Sequence, residues 1–137
     1  MDAYLSQEAH LSLTTLTLLS PAVHSDGLLI GHKRGHRFFV EKILSSMPGF
    51  FPSLKKYHEL EKLYQGKLLG FYSFRPDEKK INKILGPYAC GKLLLKIQLN
   101  PQKKISIKPF VIDYKNNFFL LPVKLIKPNK KKQWETT

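Results

Sequence analysis

The spacing of hydrophobic and polar positions divides the first third of the chain into short elements. Two apolar runs, GLLIGH (27–32) and RFFVEKI (37–43), flank the turn KRG and predict a β hairpin. Residues 11–19, LSLTTLTLL, fit either a strand or a short strand followed by a helix from about Thr14. Pro21 argues against a long regular helix here. The nature of this element therefore stays open.

Helix and strand patterns alternate in the middle of the chain. Ser53 offers an N-cap for LKKYHELEKLY, in which apolar residues recur at helical spacing and charged residues fill the other face. The apolar run KLLGFYSF (67–74) then predicts a strand. The acidic sequence PDE (76–78) suits the first turn of a second helix, which ends before the Gly-Pro pair at 86–87.

Three more strands are predicted in the C-terminal half, at 92–99, 105–113 and 118–126, with the short connections of an antiparallel meander. The complete order of elements predicts a single α+β domain over residues 1–126, with one mixed, mostly antiparallel sheet flanked by helices. Residues 127–137 have no hydrophobic period, and we expect them to form a basic flexible tail.

Charge is distributed very unevenly along the 137 residues, whose formal net charge is +13. Residues 79–132 carry 14 lysines against Asp113 alone, whereas residues 1–78 are nearly balanced. A field of this kind attracts polyanions such as nucleic acid, anionic lipid or an acidic protein surface. A solubilising lysine face explains the same pattern, and both explanations stay open. The candidate anion-binding residues are Lys33, Arg34 and Arg37 in the hairpin and Lys130, Lys131 and Lys132 in the tail.

Several classes of protein are disfavoured by what the sequence lacks. Cys90 is the single cysteine, which excludes an intrachain disulfide and a cysteine-rich zinc site. No apolar run reaches the roughly 20 residues that span a bilayer, and the N-terminal residues do not resemble a signal peptide. Glycine-rich phosphate loops, GxSxG and HExxH motifs are also absent. We therefore expect a cytoplasmic protein without a cofactor.

A family resemblance emerges when the motifs are taken together. GLLIG with its hairpin, a strand ending in GFYSFRP, a helix and the run GKLLLKIQLNPQKKISIKPFVID resemble the MPN (JAMM) family of metal-dependent deubiquitinating isopeptidases and their inactive relatives. The resemblance spans roughly residues 11–113 and implies an MPN-like α+β fold. The family holds zinc with two histidines and an aspartate, and a glutamate takes a proton from the zinc-bound water.

The positions that would hold zinc carry other residues in this chain. The two histidine positions of the family motif fall on Ser73 and Arg75. The family's serine and aspartate positions fall on Lys83 and Gly86. Asp26, just before GLLIG, is the residue that could stand in for the catalytic glutamate. The resemblance therefore implies a degenerate, metal-free site.

A guanidinium at Arg75 repels a metal ion and pairs readily with a carboxylate, for which Asp77, Glu78 and Asp113 are candidates. The preferred hypothesis is a non-catalytic MPN-like module that acts in protein–protein interaction or as a scaffold, with a protein partner or a second copy of itself. The alternative is a small basic nucleic-acid-binding protein. A hydrolase with an unrelated active site is a third hypothesis.

Overall fold

The computed structural model describes residues 1–19, 26–45, 54–75, 78–85, 89–102 and 104–126. Within this part of the chain there are eight strands and three helices. The strands are β1 (Asp2–Leu5), β2 (Asp26–Arg34), β3 (Arg37–Ser45), β4 (Leu68–Phe74), β5 (Leu93–Leu99), β6 (Ile105–Lys115), β7 (Asn117–Pro122) and β8 (Lys124–Ile126). The helices are α1 (Gln7–Leu19), α2 (Leu54–Tyr64) and α3 (Glu78–Ile84). None of these helices is long and apolar enough to cross a membrane.

All eight strands belong to one sheet, in the order β7-β6-β5-β4-β2-β3-β1-β8. Strand β4 runs parallel to β5, and β1 runs parallel to both β3 and β8; the other neighbours are antiparallel. Strands β7 and β8 stand at opposite ends of this order, yet only Val123 separates them in the chain. The N–H of Val123 donates a hydrogen bond to the carbonyl of Pro109 in β6 (3.1 Å). The sheet therefore curves until its two ends meet, which makes it nearly closed and barrel-like.

Helix α1 covers one face of the sheet. It begins after Ser6, whose hydroxyl accepts a hydrogen bond from the N–H of Ala9 (2.9 Å) and so caps the helix. Ala9 and Leu13 are buried against the strands, while Leu11 and Leu18 point to solvent. The larger core of the protein forms beneath α1 from Ala3, Leu5, Leu29, Phe38, Val40, Leu69, Tyr72, Phe74, Leu93, Leu95, Ile97, Val111 and Val123.

A second, smaller core lies on the opposite face of the sheet. Its buried members are Leu28, Ile30, Leu68, Phe71, Ala89, Leu94 and Ile112. Leu60 and Tyr64 of α2 pack against it, as does Leu85 at the end of α3. Lys92 ties α2 to the sheet, because its Nζ donates hydrogen bonds to the Glu61 carboxylate (2.5 Å) and to the Leu68 carbonyl (2.8 Å). The central strands are thus buried on both faces, with alternate residues serving different cores.

Glycines occur where neighbouring strands approach too closely for a side chain. A Cβ at Gly70 would overlap the backbone carbonyl of Leu93, and a Cβ at Gly27 would overlap the ring of Tyr72. Glycine in a strand interior often marks such a close approach of backbones or a sharp bend. Packing alone is therefore a sufficient reason for the glycines in GLLIG and GFYSF.

The predicted fold class is wrong. The sequence predicted an MPN-like α+β domain with a helix-flanked sheet, whereas the structure has a nearly closed sheet of eight strands. Strand β1 was missed because its four residues show no clear period and pair in parallel on both sides. The segment 118–126 was expected to be one strand, but it breaks at Val123 so that β8 can pair with β1. These two short strands are the ones that close the sheet.

Other predicted elements are confirmed. The structure contains the β2–β3 hairpin, helix α2, a strand at 68–74 and the antiparallel series β5, β6 and β7. Residues 11–19 are helical, and helix α1 begins at Gln7, well before the alternative start at Thr14. The expected N-cap at Ser53, the acidic turn at 76–77 and the tail at 127–137 lie outside the described residues.

Candidate anion-binding cleft

A row of polar side chains crosses four strands on the face that carries the smaller core. Asp26 of β2 lies opposite Ser73 of β4, and Ser73 lies beside Lys96 of β5. Lys96 in turn lies opposite Lys108 of β6. Side chains separated by an even number of positions in a strand point to the same face. Each of these four residues is two or four positions from a residue of the smaller core in its own strand, so all four lie on the face of that core. We call Asp26, Ser73, Lys96 and Lys108 the polar row.

The β2–β4 end of the polar row is buried. The exposed fractions of Ser73 and Asp26 are 0% and 1%, and the Ser73 hydroxyl donates a hydrogen bond to Oδ1 of Asp26 (2.7 Å). Tyr72, which precedes Ser73 in β4, belongs to the larger core and not to the row. It is buried as well, and its hydroxyl has no hydrogen-bond partner among the described residues. Burial, and secondarily the negative charge of Asp26, raise the pKa of Tyr72 to about 12. The groups of the row that a ligand can reach are therefore those at its lysine end.

The lysine end of the polar row lies at a concave surface that encloses a volume of about 240 Å³. This surface is lined by Arg75, Lys96, Ile97, Gln98, Lys108 and Phe110, and we call it the basic cleft. Arg75 follows directly after β4, and its N–H donates a hydrogen bond to the carbonyl of Ile97 (2.8 Å). Its φ of 47° lies in the left-handed region, which is uncommon for a residue other than glycine and is enriched at ligand-binding sites.

Three cationic residues line the basic cleft. The Nζ of Lys96 lies 4.7 Å from the centre of the Phe110 ring, and the Arg75 guanidinium lies 5.4 Å from that of Phe74, a residue of the larger core. Lys96 and Lys108 are directly opposite each other on antiparallel strands, an arrangement in which like charges destabilise the pair. Among the described residues, no carboxylate forms an ion pair with Arg75, Lys96 or Lys108. An anion bound in the cleft would relieve this repulsion.

Comparison with known proteins extends the description of the fold. The structure is similar to the solution structure of protein DSY2949 from Desulfitobacterium hafniense, with a TM-score of 0.60 and 20% sequence identity over 94% of this chain and 96% of that one. The likeness shows the fold alone. No family model matches the chain, and no curated protein matches it. These comparisons carry no indication of the MPN family, so the resemblance stays a hypothesis.

Three of the five positions assigned to the degenerate metal site lie close together. Asp26 and Ser73 are hydrogen-bonded to each other, and Arg75 directly follows the strand that carries Ser73. Lys83 lies in α3, but its side chain is outside the described part of the structure, as is the whole of Gly86. The structure therefore joins a carboxylate and a hydroxyl in a buried pair next to an exposed guanidinium.

The expected carboxylate partner of Arg75 is not found in the described part of the chain. Glu78 is exposed, and Asp113 accepts a hydrogen bond from the N–H of Tyr114 (2.8 Å). Asp77 lies outside the described residues. The residues that the structure describes include no cluster of three or more histidine, cysteine, aspartate or glutamate side chains that could hold a metal ion. The absence of metal and of catalysis stays a prediction.

The cationic residues of the hairpin are remote from the basic cleft. Strand β2 starts beside the C-terminal end of β4 and runs antiparallel to it, so the hairpin tip lies beyond the opposite end of β4. Lys33 and Arg34 lie over the rings of Phe38 and Phe39, at 5.0 and 5.5 Å, and Arg37 is exposed. The hairpin is thus a separate candidate for anion binding. The tail residues Lys130, Lys131 and Lys132 lie outside the described residues.

Sequence reasoning missed Lys96 and Lys108, although a signal was present. The two lysines are equally distant from Gln102, the middle of the five residues 100–104 that separate the predicted strands 92–99 and 105–113. A hairpin folded about that residue places them opposite each other, as the observed register does. Pairing the predicted strands around each turn would have revealed this pair of like charges.

Proposed function

We propose that this chain is a non-catalytic nucleic-acid-binding module that holds a phosphate group in the basic cleft. The observation that carries the proposal is that Arg75, Lys96 and Lys108 line one small concave surface without a paired carboxylate among the described residues. Phosphate suits this arrangement because its oxygens accept hydrogen bonds from a planar guanidinium and from ammonium groups at the same time.

The cleft is large enough to hold one chemical group of a large ligand, but it is small for a complete drug-sized molecule. Its volume of about 240 Å³ falls below the roughly 300 Å³ at which pockets for drug-sized ligands begin. The net charge of +13 attracts a polyanion over longer distances and raises its concentration at the surface. Long-range attraction and a local phosphate site together favour nucleic acid.

A nucleic-acid strand matches the cleft better than an acidic protein does. A carboxylate and an internal phosphodiester each offer one charge and two oxygens, so the difference lies in the rest of the ligand. A nucleic-acid strand brings a charge at every nucleotide and base faces that stack on exposed aromatic or guanidinium groups. Phe110, which is partly exposed, and Arg75 both line the cleft and are groups of those two kinds.

Two triple variants with the same change in net charge test the proposal. The cleft variant is Arg75→Gln/Lys96→Gln/Lys108→Gln, and the hairpin variant is Lys33→Gln/Arg34→Gln/Arg37→Gln. Affinity is measured by fluorescence anisotropy with labelled single-stranded RNA and DNA. We expect the cleft variant to bind at least about tenfold more weakly than the wild type, since it loses charge-assisted hydrogen bonds, and the hairpin variant to lose far less.

Thermal unfolding of both variants checks that neither result comes from misfolding. Equal losses in the two variants would mean that net charge alone drives binding, and the proposal would then be wrong. The same comparison decides whether the hairpin residues Lys33, Arg34 and Arg37 form an anion site of their own, because a larger loss in the hairpin variant would place the site there.

The second candidate function is self-association, as in the interaction module implied by the family resemblance. One observation favours it. Strand β7 ends the sheet order, and on its outer edge it has no ladder partner among the described strands, so the nearly closed sheet keeps an open seam there. Its side chains are uncharged, and Phe119 and Leu121 are exposed by 38% and 39%. A second copy of this strongly basic chain can approach along an uncharged strand with little repulsion.

Sedimentation velocity tests this second candidate. We expect Leu121→Lys to convert a dimer into a monomer, because a charged residue on an edge strand opposes strand pairing. Leu11→Lys is the matched control, since Leu11 is 64% exposed on α1, away from β7. A wild-type protein that stays monomeric at high concentration would rule out self-association through this strand.

A further inference from the structure

We infer that the basic cleft binds the terminal phosphate monoester of a nucleic-acid strand, at its 5′ or its 3′ end, in preference to an internal phosphodiester. The inference rests on the proposed function and makes it more specific. Three features of the cleft support it: its charge, the apolar surface beyond it and the buried carboxylate beside it.

The charge of the cleft suits a dianion. Arg75, Lys96 and Lys108 bring three positive charges to one concave surface, and Lys96 and Lys108 face each other directly. A phosphate monoester carries a charge of about −1.5 to −2 at pH 7 and offers three terminal oxygens. An internal diester has a single negative charge and two free oxygens, so it compensates the three cations less completely. The monoester is therefore the better match.

The sheet face beyond the cleft is closed to a continuing strand. The row next to the polar row consists of Leu28, Phe71, Leu94 and Phe110. Its first three members are buried in the smaller core, against which α2 and Leu85 pack. A ligand can reach the cleft from the ends of β4 and β5, but the buried residues Leu28, Phe71 and Leu94 leave it no surface along the next row. A strand that stops at the cleft fits this shape better than one that passes through.

The β2–β4 side of the cleft also disfavours a second phosphate. In that direction the polar row continues from Lys96 to Ser73 and Asp26, which are both buried. The Ser73 hydroxyl donates to Asp26, so it is not available to an incoming phosphate. Neither side chain therefore offers a contact to a phosphate at this end of the row. The cleft thus accommodates one phosphate with no neighbour on this side.

One oligonucleotide prepared in three forms tests the inference. The forms carry a 5′ phosphate, a 3′ phosphate or hydroxyls at both ends, and each is titrated by fluorescence anisotropy at about pH 7.5. We expect one phosphorylated form to bind at least about tenfold more tightly than the unphosphorylated form, the gain from roughly one additional charge-assisted hydrogen bond. The form that gains identifies which end enters the cleft. The cleft variant should lose the preference, and the hairpin variant should keep it.

A change of pH provides an independent readout. The second pKa of a phosphate monoester is about 6, so at pH 5.5 most of the ligand has gained a proton and lost one charge. The preference for the phosphorylated end should therefore shrink between pH 7.5 and 5.5. The unphosphorylated oligonucleotide serves as the reference, because its diesters do not titrate in this range.

The possible failures of the inference and of the proposed function are distinguishable. If all three forms bind equally and the cleft variant weakens all of them, the cleft holds an internal phosphate; the inference then fails and the proposed function stands. If the cleft variant weakens none of them, the proposed function fails as well. A preference for a phosphorylated end that survives in the cleft variant would place terminal recognition elsewhere and also overturn the inference.

Discussion

Replacing Gly70 with alanine is expected to destabilise the protein by more than about 4 kcal/mol, which is a large part of the roughly 5–15 kcal/mol that stabilises a single domain. The added Cβ would overlap the carbonyl group of Leu93 on the neighbouring strand. That group is backbone and cannot rotate away as a side chain can, so β4 and β5 would have to separate. Urea unfolding, or loss of the folded far-ultraviolet circular dichroism spectrum, measures the effect.

Gly35→Ala is the control, because it measures the backbone cost of replacing a glycine at a position where the added Cβ meets no other atom. Gly35 lies in the hairpin turn with a φ of 56°, and no atom lies within 4 Å of the place where a Cβ would be. We expect this substitution to cost about 1 kcal/mol, the usual penalty for a left-handed backbone with a side chain. Similar losses for Gly35→Ala and Gly70→Ala would mean that β4 and β5 are not as close as described.

The close approach of β4 and β5 also shapes the basic cleft. The strands run parallel, and the register that puts Gly70 beside Leu93 puts Ser73 beside Lys96 further along. The N–H of Arg75 then reaches the carbonyl of Ile97, which fixes the backbone of Arg75 at the edge of the cleft. One glycine therefore contributes both to the curvature of the sheet and to the position of a cationic side chain.

Local periodicity was sufficient to predict most elements, because the hairpin, helix α2 and the later strands carry clear periods of 2 or 3.6 residues. The order of strands in the sheet was not predictable in the same way. Parallel pairing of β1 with β3 and β8 joins segments that are far apart in sequence, and no turn motif indicates it. The break at Val123 depends on the same long-range pairing. The closure of the sheet was therefore invisible in the local pattern.

The candidate site was partly accessible from sequence, for reasons that differ between residues. The resemblance to a metal site made Ser73 and Arg75 candidate site residues. In the structure Ser73 donates a hydrogen bond to the buried carboxylate of Asp26, and Arg75 lines the basic cleft. Lys96 and Lys108 could have been found by pairing strands about their turn. The burial of Asp26 could not, because an aspartate that starts a strand is ordinarily exposed.

Affinity for nucleic acid is expected to fall steeply with salt. Each phosphate neutralised by the protein releases counterions, so binding that involves about six phosphates should weaken by roughly 10³-fold between 50 and 200 mM salt. The cleft variant should reduce the slope of log K against log salt by about 1, because it removes the contacts to one phosphate. Anisotropy titrations at several salt concentrations measure both slopes. A slope near zero would show that phosphates contribute little, and nucleic-acid binding would then be the wrong function.

The preference for a phosphorylated end should survive salt far better than total affinity does. A terminal monoester adds up to about two charges to those already neutralised, so the ratio of affinities for the phosphorylated and unphosphorylated forms should fall about tenfold between 50 and 200 mM salt, far less than the total affinity. Net charge acting alone would give a ratio near 1 at every salt concentration, because the charge of the whole oligonucleotide changes little. A ratio that stays well above 1 at 200 mM salt, and that disappears in the cleft variant but not in the hairpin variant, would therefore separate recognition by Arg75, Lys96 and Lys108 from the general attraction of a basic protein for a polyanion.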